Sequence, residues 1–127
     1  MTSRNTDAAA IRIALIGAAA GIASLHLRAL AQIPEVTIVG MADIAADRVA
    51  ARAAEYGCPS YADHRPMLAE TRPDIAVICT PHPFHATLAI DAMRAGAHVL
   101  VEKPLAVTVA EADEMGAVSD QTGRLLA

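Results

Sequence analysis

The sequence predicts a doubly wound α/β fold, in which helices cover both faces of a parallel sheet. Short apolar runs rich in Val and Ile alternate with segments of helical spacing, a pattern typical of parallel strands joined by crossover helices. Apolar residues make up 54% of the 127 residues, enough for the core of one domain. Such crossovers are right-handed, and the expected strand order of the doubly wound sheet is 3-2-1-4-5.

The predicted strands are the runs in which apolar and β-branched residues are concentrated. They are IRIALIG (11–17), VTIVGMA (36–42), PSY (59–61), DIAVICT (74–80) and HVLVEKP (98–104). Ligands of such sheets bind beyond the carboxyl ends of the strands, where the strand order reverses. The chain ends at GRLLA, where a sixth strand would begin, so we expect the outer edge of Val99–Val101 to be open.

The helices between the strands are predicted from apolar faces and capping residues. The expected buried faces are Leu27, Leu30 and Ala31 in the first helix, Val49, Ala50 and Ala53 in the second, and Ala86, Ile90 and Met93 in the fourth. Residues that start or stop helices are Asp63 and Thr108 at amino ends, and Pro34, Gly57, Pro73 and Gly96 at or beyond carboxyl ends. Thr108 and Glu111 have the spacing of a capping box.

Composition excludes several classes of partner. A net charge of -4 and the lack of a Lys/Arg cluster argue against nucleic acid, and no apolar stretch approaches the roughly 20 residues of a membrane span. Cys58 and Cys79 lack the spacing of a zinc or redox motif, which favours a reducing, cytoplasmic setting. Residues 1–10 have no signal-peptide pattern and are expected to be a flexible start to the domain at 11–127.

The turn after the first strand is built from very small residues. It comprises Gly17, Ala18, Ala19, Ala20 and Gly21, with Ile22 next. Small residues at a helix amino end allow a dinucleotide pyrophosphate to approach the backbone N–H groups, although they also suit close packing of helix on sheet. The GxGxxG spacing is not met, so both interpretations stay open.

Asp43 closes the second strand at about 20 residues from the turn, the distance at which a carboxylate accepts hydrogen bonds from the adenosine ribose. The alternative is that Asp43 caps the helix after it, a role for which Asp47 is also available. Ile44 follows, with no basic residue beside it for a 2′-phosphate, so NAD is favoured over NADP. Arg48 is the nearby exception.

The segments IGAAAGIASLHLRAL, VGMADI and ICTPHPFHATLAIDAMRAGAHVLVEKPLAVTVAEADEM, with TGRLLA, resemble the amino-terminal half of the glucose-fructose oxidoreductase, inositol dehydrogenase and rhizopine-catabolism family. The resemblance covers Ile11 to Ala127. Its most specific part is Glu-Lys-Pro after a strand, one helix beyond a TPxxxH stretch. Two alanines stand where the family usually has glycine, and a Gly-Ala-Ala turn followed by Ile-Ala and His is similar to a subgroup that acts on nucleotide-sugar uronates.

The resemblance implies a NAD(P)-dependent dehydrogenase of sugars or cyclitols and assigns residues to its site. Thr80, Pro81, His82 and His85 would line the cofactor site together with Glu102 and Lys103, and Lys103 would be the catalytic residue beside the nicotinamide and the substrate hydroxyl. A lysine there favours the developing alkoxide by donating a hydrogen bond.

Purely structural roles remain open for several of these residues. Lys103 would otherwise be a surface lysine paired with Glu102, and His85 a capping or packing imidazole. His82 and His85 have no third ligand near them, so no metal site is expected. His26 is expected to be structural.

The family's substrate domain, with its own acid-base histidine, is missing from the chain, so we expect a fragment that is inactive alone. Three functions stay open: the cofactor half of a dehydrogenase, a NAD-binding sensor without chemistry or gene remnant, and another enzyme of the same fold, such as a methyltransferase. A short-chain dehydrogenase is excluded, because neither Tyr56 nor Tyr61 is followed by lysine at the required spacing. Homo-oligomerisation through the missing domain is also expected.

Overall fold

The structure, a computed structural model, describes residues 10–127, so the expected flexible segment 1–10 lies outside the described residues except for Ala10. Strands and helices alternate along the chain. They are β1 (Ile11–Ile16), α1 (Gly21–Leu30), β2 (Val36–Ala42), α2 (Ala46–Tyr56), β3 (Ser60–Tyr61), α3 (His64–Thr71), β4 (Ile75–Ile78), a 3-10 turn (His82–Phe84), α4 (His85–Arg94), β5 (His98–Val101) and α5 (Val109–Thr122).

The strands form one parallel sheet in the order β3-β2-β1-β4-β5, which confirms the predicted topology. β1 and β4 are adjacent in the sheet although three helices and two strands separate them in sequence. The strand order therefore reverses between them, and the carboxyl ends of β1 and β4 meet where a ligand of such a sheet binds.

Two apolar layers cover the two faces of the sheet. On one face, Leu27 of α1 and Val49 and Ala53 of α2 pack on Leu15 and Met41. The predictions for Ala31 and Ala50 are wrong, because both residues are exposed. Ala31 lies just past the end of α1, and Ala50 is turned aside from the positions four apart through which α2 meets the sheet.

The opposite layer is rich in methionine. Met67, Met93 and Met115 contribute one side chain each from α3, α4 and α5, and all three are almost fully buried against Ile16 and Ile78. Unbranched, polarizable side chains fill the irregular space between three helices without aromatic rings. The predicted α4 face, with Ala86 and Ile90, lies in this layer.

The predicted caps are present, with one difference in detail. Asp63 accepts the N–H of Arg65, Gly57 has a positive φ of 68°, and Thr108 Oγ1 accepts the N–H of Glu111 at 3.1 Å. The Glu111 carboxylate reaches one residue further back than a capping box requires and accepts the N–H of Val107.

The prediction of an open edge beside β5 is wrong. Val99 N–H donates to Leu125 O at 2.8 Å, Ala127 N–H donates to Val99 O at 2.9 Å, and Val101 N–H donates to Ala127 O at 2.9 Å. Residues 125–127 thus lie beside β5, in the position of a sixth strand. No helix within residues 10–127 combines the length and the apolar character that crossing a membrane requires.

Candidate functional site

The turn between β1 and α1 is shaped by the protein's own backbone. Gly17 has φ +79°, and a Cβ on it would lie 2.7 Å from the backbone nitrogen of Thr80. Glycine is therefore required here by the end of β4, which fits the prediction that a side chain is forbidden. Gly21 differs, because a Cβ on it would meet nothing within 4 Å.

Most N–H groups of the turn already have acceptors. Gly17 and Ala18 both donate to Ala42 O, and Ala20 donates to Gly17 O. The next N–H groups, those of Gly21 and Ile22, have no acceptor within residues 10–127. α1 also has no side-chain cap and no acidic residue in its first turn, so its positive end is left for an anion.

Asp43 joins the turn to the loop after β2. Its Oδ2 accepts the N–H of Ala19 at 2.9 Å, and its Oδ1 accepts the N–H of Ala45 at 2.9 Å. The second bond matches the local role that the sequence left open, although α2 itself starts at Ala46. Because two carboxylate oxygens offer about four acceptor positions, Asp43 retains capacity for ribose hydroxyls.

A cleft of about 240 Å³ opens at the carboxyl ends of β1, β2 and β4. Its walls include five predicted cofactor residues, namely Gly17, Asp43, Ile44, Thr80 and Pro81. The unpredicted lining residues are mostly apolar and include Ala62, His64, Phe84 and Leu88. Ile44 is 94% exposed beside this opening, a position that suits contact with a flat apolar ring.

Thr80 and Cys79 form the floor of the cleft at the end of β4. Thr80 Oγ1 is buried and has no hydrogen-bond partner within residues 10–127. Burial raises the pKa of the Cys79 thiol to about 12, so this residue stays a neutral apolar group near physiological pH. The floor therefore offers one unsatisfied hydroxyl among apolar surface.

His85 is fully buried below this floor. Its Nδ1 lies 2.8 Å from Pro104 O and its Nε2 lies 2.8 Å from Thr80 O, so the ring ties the end of β4 to the Glu-Lys-Pro segment. In this position His85 offers no surface to a ligand and no open nitrogen to a metal ion. The structure thus gives it the packing role, rather than the predicted contact with the nicotinamide.

The Glu-Lys-Pro segment follows β5, and Glu102 N–H donates to Ile78 O at 3.1 Å beside the end of β4. The Glu102 carboxylate lies 2.6 Å from His26 Nε2 of α1, and this hydrogen bond lowers the pKa of Glu102. Lys103 is exposed, and none of the salt bridges within residues 10–127 involves it. Glu102 thus pairs with His26, and the alternative of a surface ion pair between Lys103 and Glu102 does not form.

The predicted residues therefore form two groups along one edge of the sheet. The first surrounds the cleft, and the second, Glu102 and Lys103, stands beyond β5. His82 is exposed and lies outside both groups, with its ring centroid 5.8 Å from that of His85. Residues 10–127 contain no group of three or more His, Cys, Asp or Glu that would hold a metal ion.

Sequence reasoning missed three residues at this edge. His26 contacts Glu102, His64 Nε2 lies 2.8 Å from Asp91 Oδ2 in the cleft wall, and Arg52 binds the turn through Ala18 O and Ala20 O. No local sequence pattern indicates any of these contacts.

These features fit a dinucleotide. The free N–H groups and the uncapped end of α1 suit a pyrophosphate, Asp43 suits a ribose, and the cleft beside Ile44 suits an adenine. The residues present thus match the parts of the group that an NAD-binding fold would hold.

A model of an oxidoreductase family with an NAD-binding Rossmann fold, the family of the glucose-fructose oxidoreductases and inositol dehydrogenases, matches residues 11–127. The chain belongs to this family. It is therefore a dinucleotide-binding domain of the oxidoreductases, and the methyltransferase alternative is not favoured.

Relatives of known activity are about three times as long as the chain. It is 32% identical to the D-glucoside 3-dehydrogenase of Escherichia coli over 92% of its own length and 34% of the relative's. It is 41% identical to the 4-carboxy-2-hydroxymuconate-6-semialdehyde dehydrogenase of Sphingobium, over 89% of its own length and 36% of the relative's. The chain thus spans about a third of these proteins.

Solved structures agree with this assignment. The WlbA dehydrogenase of Chromobacterium violaceum, in complex with NADH and UDP-GlcNAcA, superposes with a TM-score of 0.88 at 32% identity over 92% of this chain and 34% of that one. A 3-ketoreductase of Actinomadura kijaniata, in complex with TDP-benzene and NADP, superposes with a TM-score of 0.85 at 30% identity over 92% of this chain and 36% of that one. Both forms of the cofactor thus occur among similar structures.

Proposed function

We propose that the chain is the cofactor half of a dehydrogenase that transfers a hydride between NAD and the hydroxyl-bearing carbon of a sugar, cyclitol or nucleotide sugar. The substrate domain lies, in this proposal, outside the 127 residues, as the threefold greater length of the relatives supports. The cytoplasmic location and the homo-oligomer expected from the sequence remain predictions.

The observation that carries the proposal is the position of Lys103. It is exposed, its carboxylate neighbour Glu102 is bonded to His26, and it follows the strand next to the end of β4. Its ammonium group is therefore available to donate a hydrogen bond to a substrate hydroxyl and to stabilise negative charge that develops on that oxygen. A bound nicotinamide would supply the hydride chemistry.

NAD is proposed over NADP because of the groups around Asp43. A 2′-phosphate would come close to this carboxylate, and like charges repel. Arg52 is already bonded to the turn, which leaves Arg48 as the nearby cation without a bond within residues 10–127. The relatives with NADH and with NADP do not decide this point, so affinity has to be measured.

The function is tested in a protein that carries this domain together with its substrate domain. Lys103→Ala should lower kcat on a sugar, cyclitol or uronate substrate by at least about a hundredfold, in line with the contribution of general acid-base groups, while the Kd for NADH changes little. The matched control is Arg94→Ala, an exposed cation at the end of α4. The chain alone should bind NADH and turn over none of these substrates.

Two results would contradict this function. Unchanged kcat in Lys103→Ala would remove Lys103 from the chemistry. A full-length protein that binds NADH but oxidises no sugar, cyclitol or uronate would favour the sensor. Cofactor choice is measured separately by calorimetry, and NADPH binding as tightly as NADH would overturn the preference for NAD.

A further inference from the structure

Arg52 reaches from α2 to the turn between β1 and α1. Its Nη1 donates to Ala18 O at 2.7 Å and to Ala20 O at 3.0 Å, and its Nη2 donates to Ser24 Oγ at 3.0 Å. A planar guanidinium presents several donors in a fixed arrangement, so one side chain holds three acceptors at once. The contact joins two helices that are separate in sequence to the same turn.

These bonds fix the direction of N–H groups that Arg52 does not touch. In a trans peptide unit the C=O and the following N–H point to opposite sides. Holding Ala18 O therefore aims the N–H of Ala19 at Asp43, where it donates at 2.9 Å. Holding Ala20 O likewise aims the N–H of Gly21 away from Arg52, and this N–H has no acceptor within residues 10–127.

The turn has few other means of holding this shape. Its three alanines carry no polar side chain, and the cap residue Ala20 makes no side-chain hydrogen bond. Gly17 is fixed by the end of β4, but the peptide units after it have no such contact. Asp43 holds the N–H of Ala19, and Arg52 is the side chain that holds the carbonyls of Ala18 and Ala20.

We propose that Arg52 is a positioning residue that sets the pyrophosphate-binding shape of the turn between β1 and α1. The proposal rests on the dinucleotide site described above and adds to it a residue from outside the turn. Arg52 acts through Ala18 O and Ala20 O, whereas the ligand meets the opposite side of those peptide units. Its role is therefore recognition of the pyrophosphate rather than of the adenine or the 2′-hydroxyl.

The test compares ligands with and without a pyrophosphate on the chain itself. In Arg52→Met, the Kd for NADH and for ADP should rise about ten- to hundredfold, the effect of losing a charge-assisted hydrogen bond. The Kd for adenosine, followed by the NMR shift of the Ile44 methyl groups, should change by less than about twofold, because Arg52 does not line the cleft and the hydrogen bond from Ala45 N–H to Asp43 Oδ1 does not depend on Arg52. Arg52→Lys, which keeps a cation and its donors, should lie between Arg52→Met and the wild type.

The matched control is Arg94→Met, an exposed arginine at the end of α4 and outside the cleft, which should leave all three affinities unchanged. Equal weakening of NADH, ADP and adenosine in both Arg52→Met and Arg52→Lys would mean general damage and would overturn the proposal. So would wild-type affinity for NADH in Arg52→Met. If the wild-type chain bound neither NADH nor ADP, the proposal of a dinucleotide site would be wrong. That result is distinct from one in which only the proposed role of Arg52 is wrong.

Discussion

Gly17 and Gly21 bound the same turn, but they are glycines for different reasons. A side chain at Gly17 would enter the backbone at the end of β4, so the protein's own fold excludes it. A side chain at Gly21 would meet only open space, with ordinary backbone geometry. Of the two, Gly21 is thus the residue whose substitution separates binding from folding.

Gly21→Val should abolish NADH binding while the chain stays folded. The new side chain would occupy the space beside the free N–H groups of α1, and its effect on helix stability should be within about 1 kcal/mol because valine is a better helix former than glycine. Calorimetry measures the affinity, and urea denaturation the stability. Gly116→Val is the control, since Gly116 also has nothing within 4 Å but lies on α5.

Retained NADH affinity in Gly21→Val would mean that the pyrophosphate does not meet the end of α1. Gly17→Val should instead lose stability as well as binding, because its Cβ lies 2.7 Å from Thr80 N. The physical reason for preferring Gly21 is visible only once β4 is seen beside the turn.

At the residue level, the sequence predicts what a local pattern encodes. Gly17 and Asp43 were found because a turn and a strand end have characteristic residues at a characteristic distance. His26 and Arg52 were missed because their partners lie 76 and 34 residues away in the chain. A hydrogen bond between residues so far apart in the chain has no characteristic sequence spacing.

At the scale of elements, the sequence predicts strands, helices and their caps well, but not the contacts that tie them together. α1 is joined to the segment after β5 by the His26–Glu102 hydrogen bond, at 2.6 Å. Both side chains are partly buried, with 23% and 27% of their surface exposed. This contact ties Glu102 to α1, and the contact of His85 with Pro104 O ties the same segment to the end of β4.

The His26–Glu102 contact should make stability depend on acid. The hydrogen bond lowers the pKa of Glu102 in the folded state, so its stabilising effect is complete above the ordinary value of about 4.3 and is lost as the pH falls through the folded pKa. For partly exposed groups the effect is at most about 1 kcal/mol. Urea denaturation of the wild type and Glu102→Gln from pH 7 to pH 3 measures it.

The difference in unfolding free energy between these two proteins should shrink as the pH falls below about 4.3. Asp63, whose pKa the Arg65 side chain lowers to about 2, titrates in both proteins and cancels. The control is Glu114→Gln, an exposed residue of α5 that should show no such difference. A Glu102→Gln difference that persists unchanged at pH 3 would rule out the ionised carboxylate as its source.

At the scale of the whole molecule, the alternation of strands and helices predicts a doubly wound parallel sheet, and the expected order 3-2-1-4-5 is confirmed. The edge of the sheet is different. The sequence suggested an uncovered β5, but residues 125–127 are enough to pair with Val99 and Val101, and the Leu126 side chain packs on the core. A run of three residues is too short for a strand to be recognised from hydrophobic periodicity.

This short pairing should protect the apolar edge of the sheet from association. Ala127→Pro removes the N–H that donates to Val99 O at 2.9 Å, and Val99 is 2% exposed, so its carbonyl would lose a partner where water has little access. The unfolding free energy should fall by about 1 kcal/mol or more, as for a buried group left unsatisfied, and light scattering on heating should rise because edge backbone becomes available for pairing between molecules. Ala127→Gly keeps the N–H and is the matched control. If the two variants lost the same stability and aggregated alike, the side chain at position 127 would be responsible, and the hydrogen bond to Val99 would have no part in covering the edge.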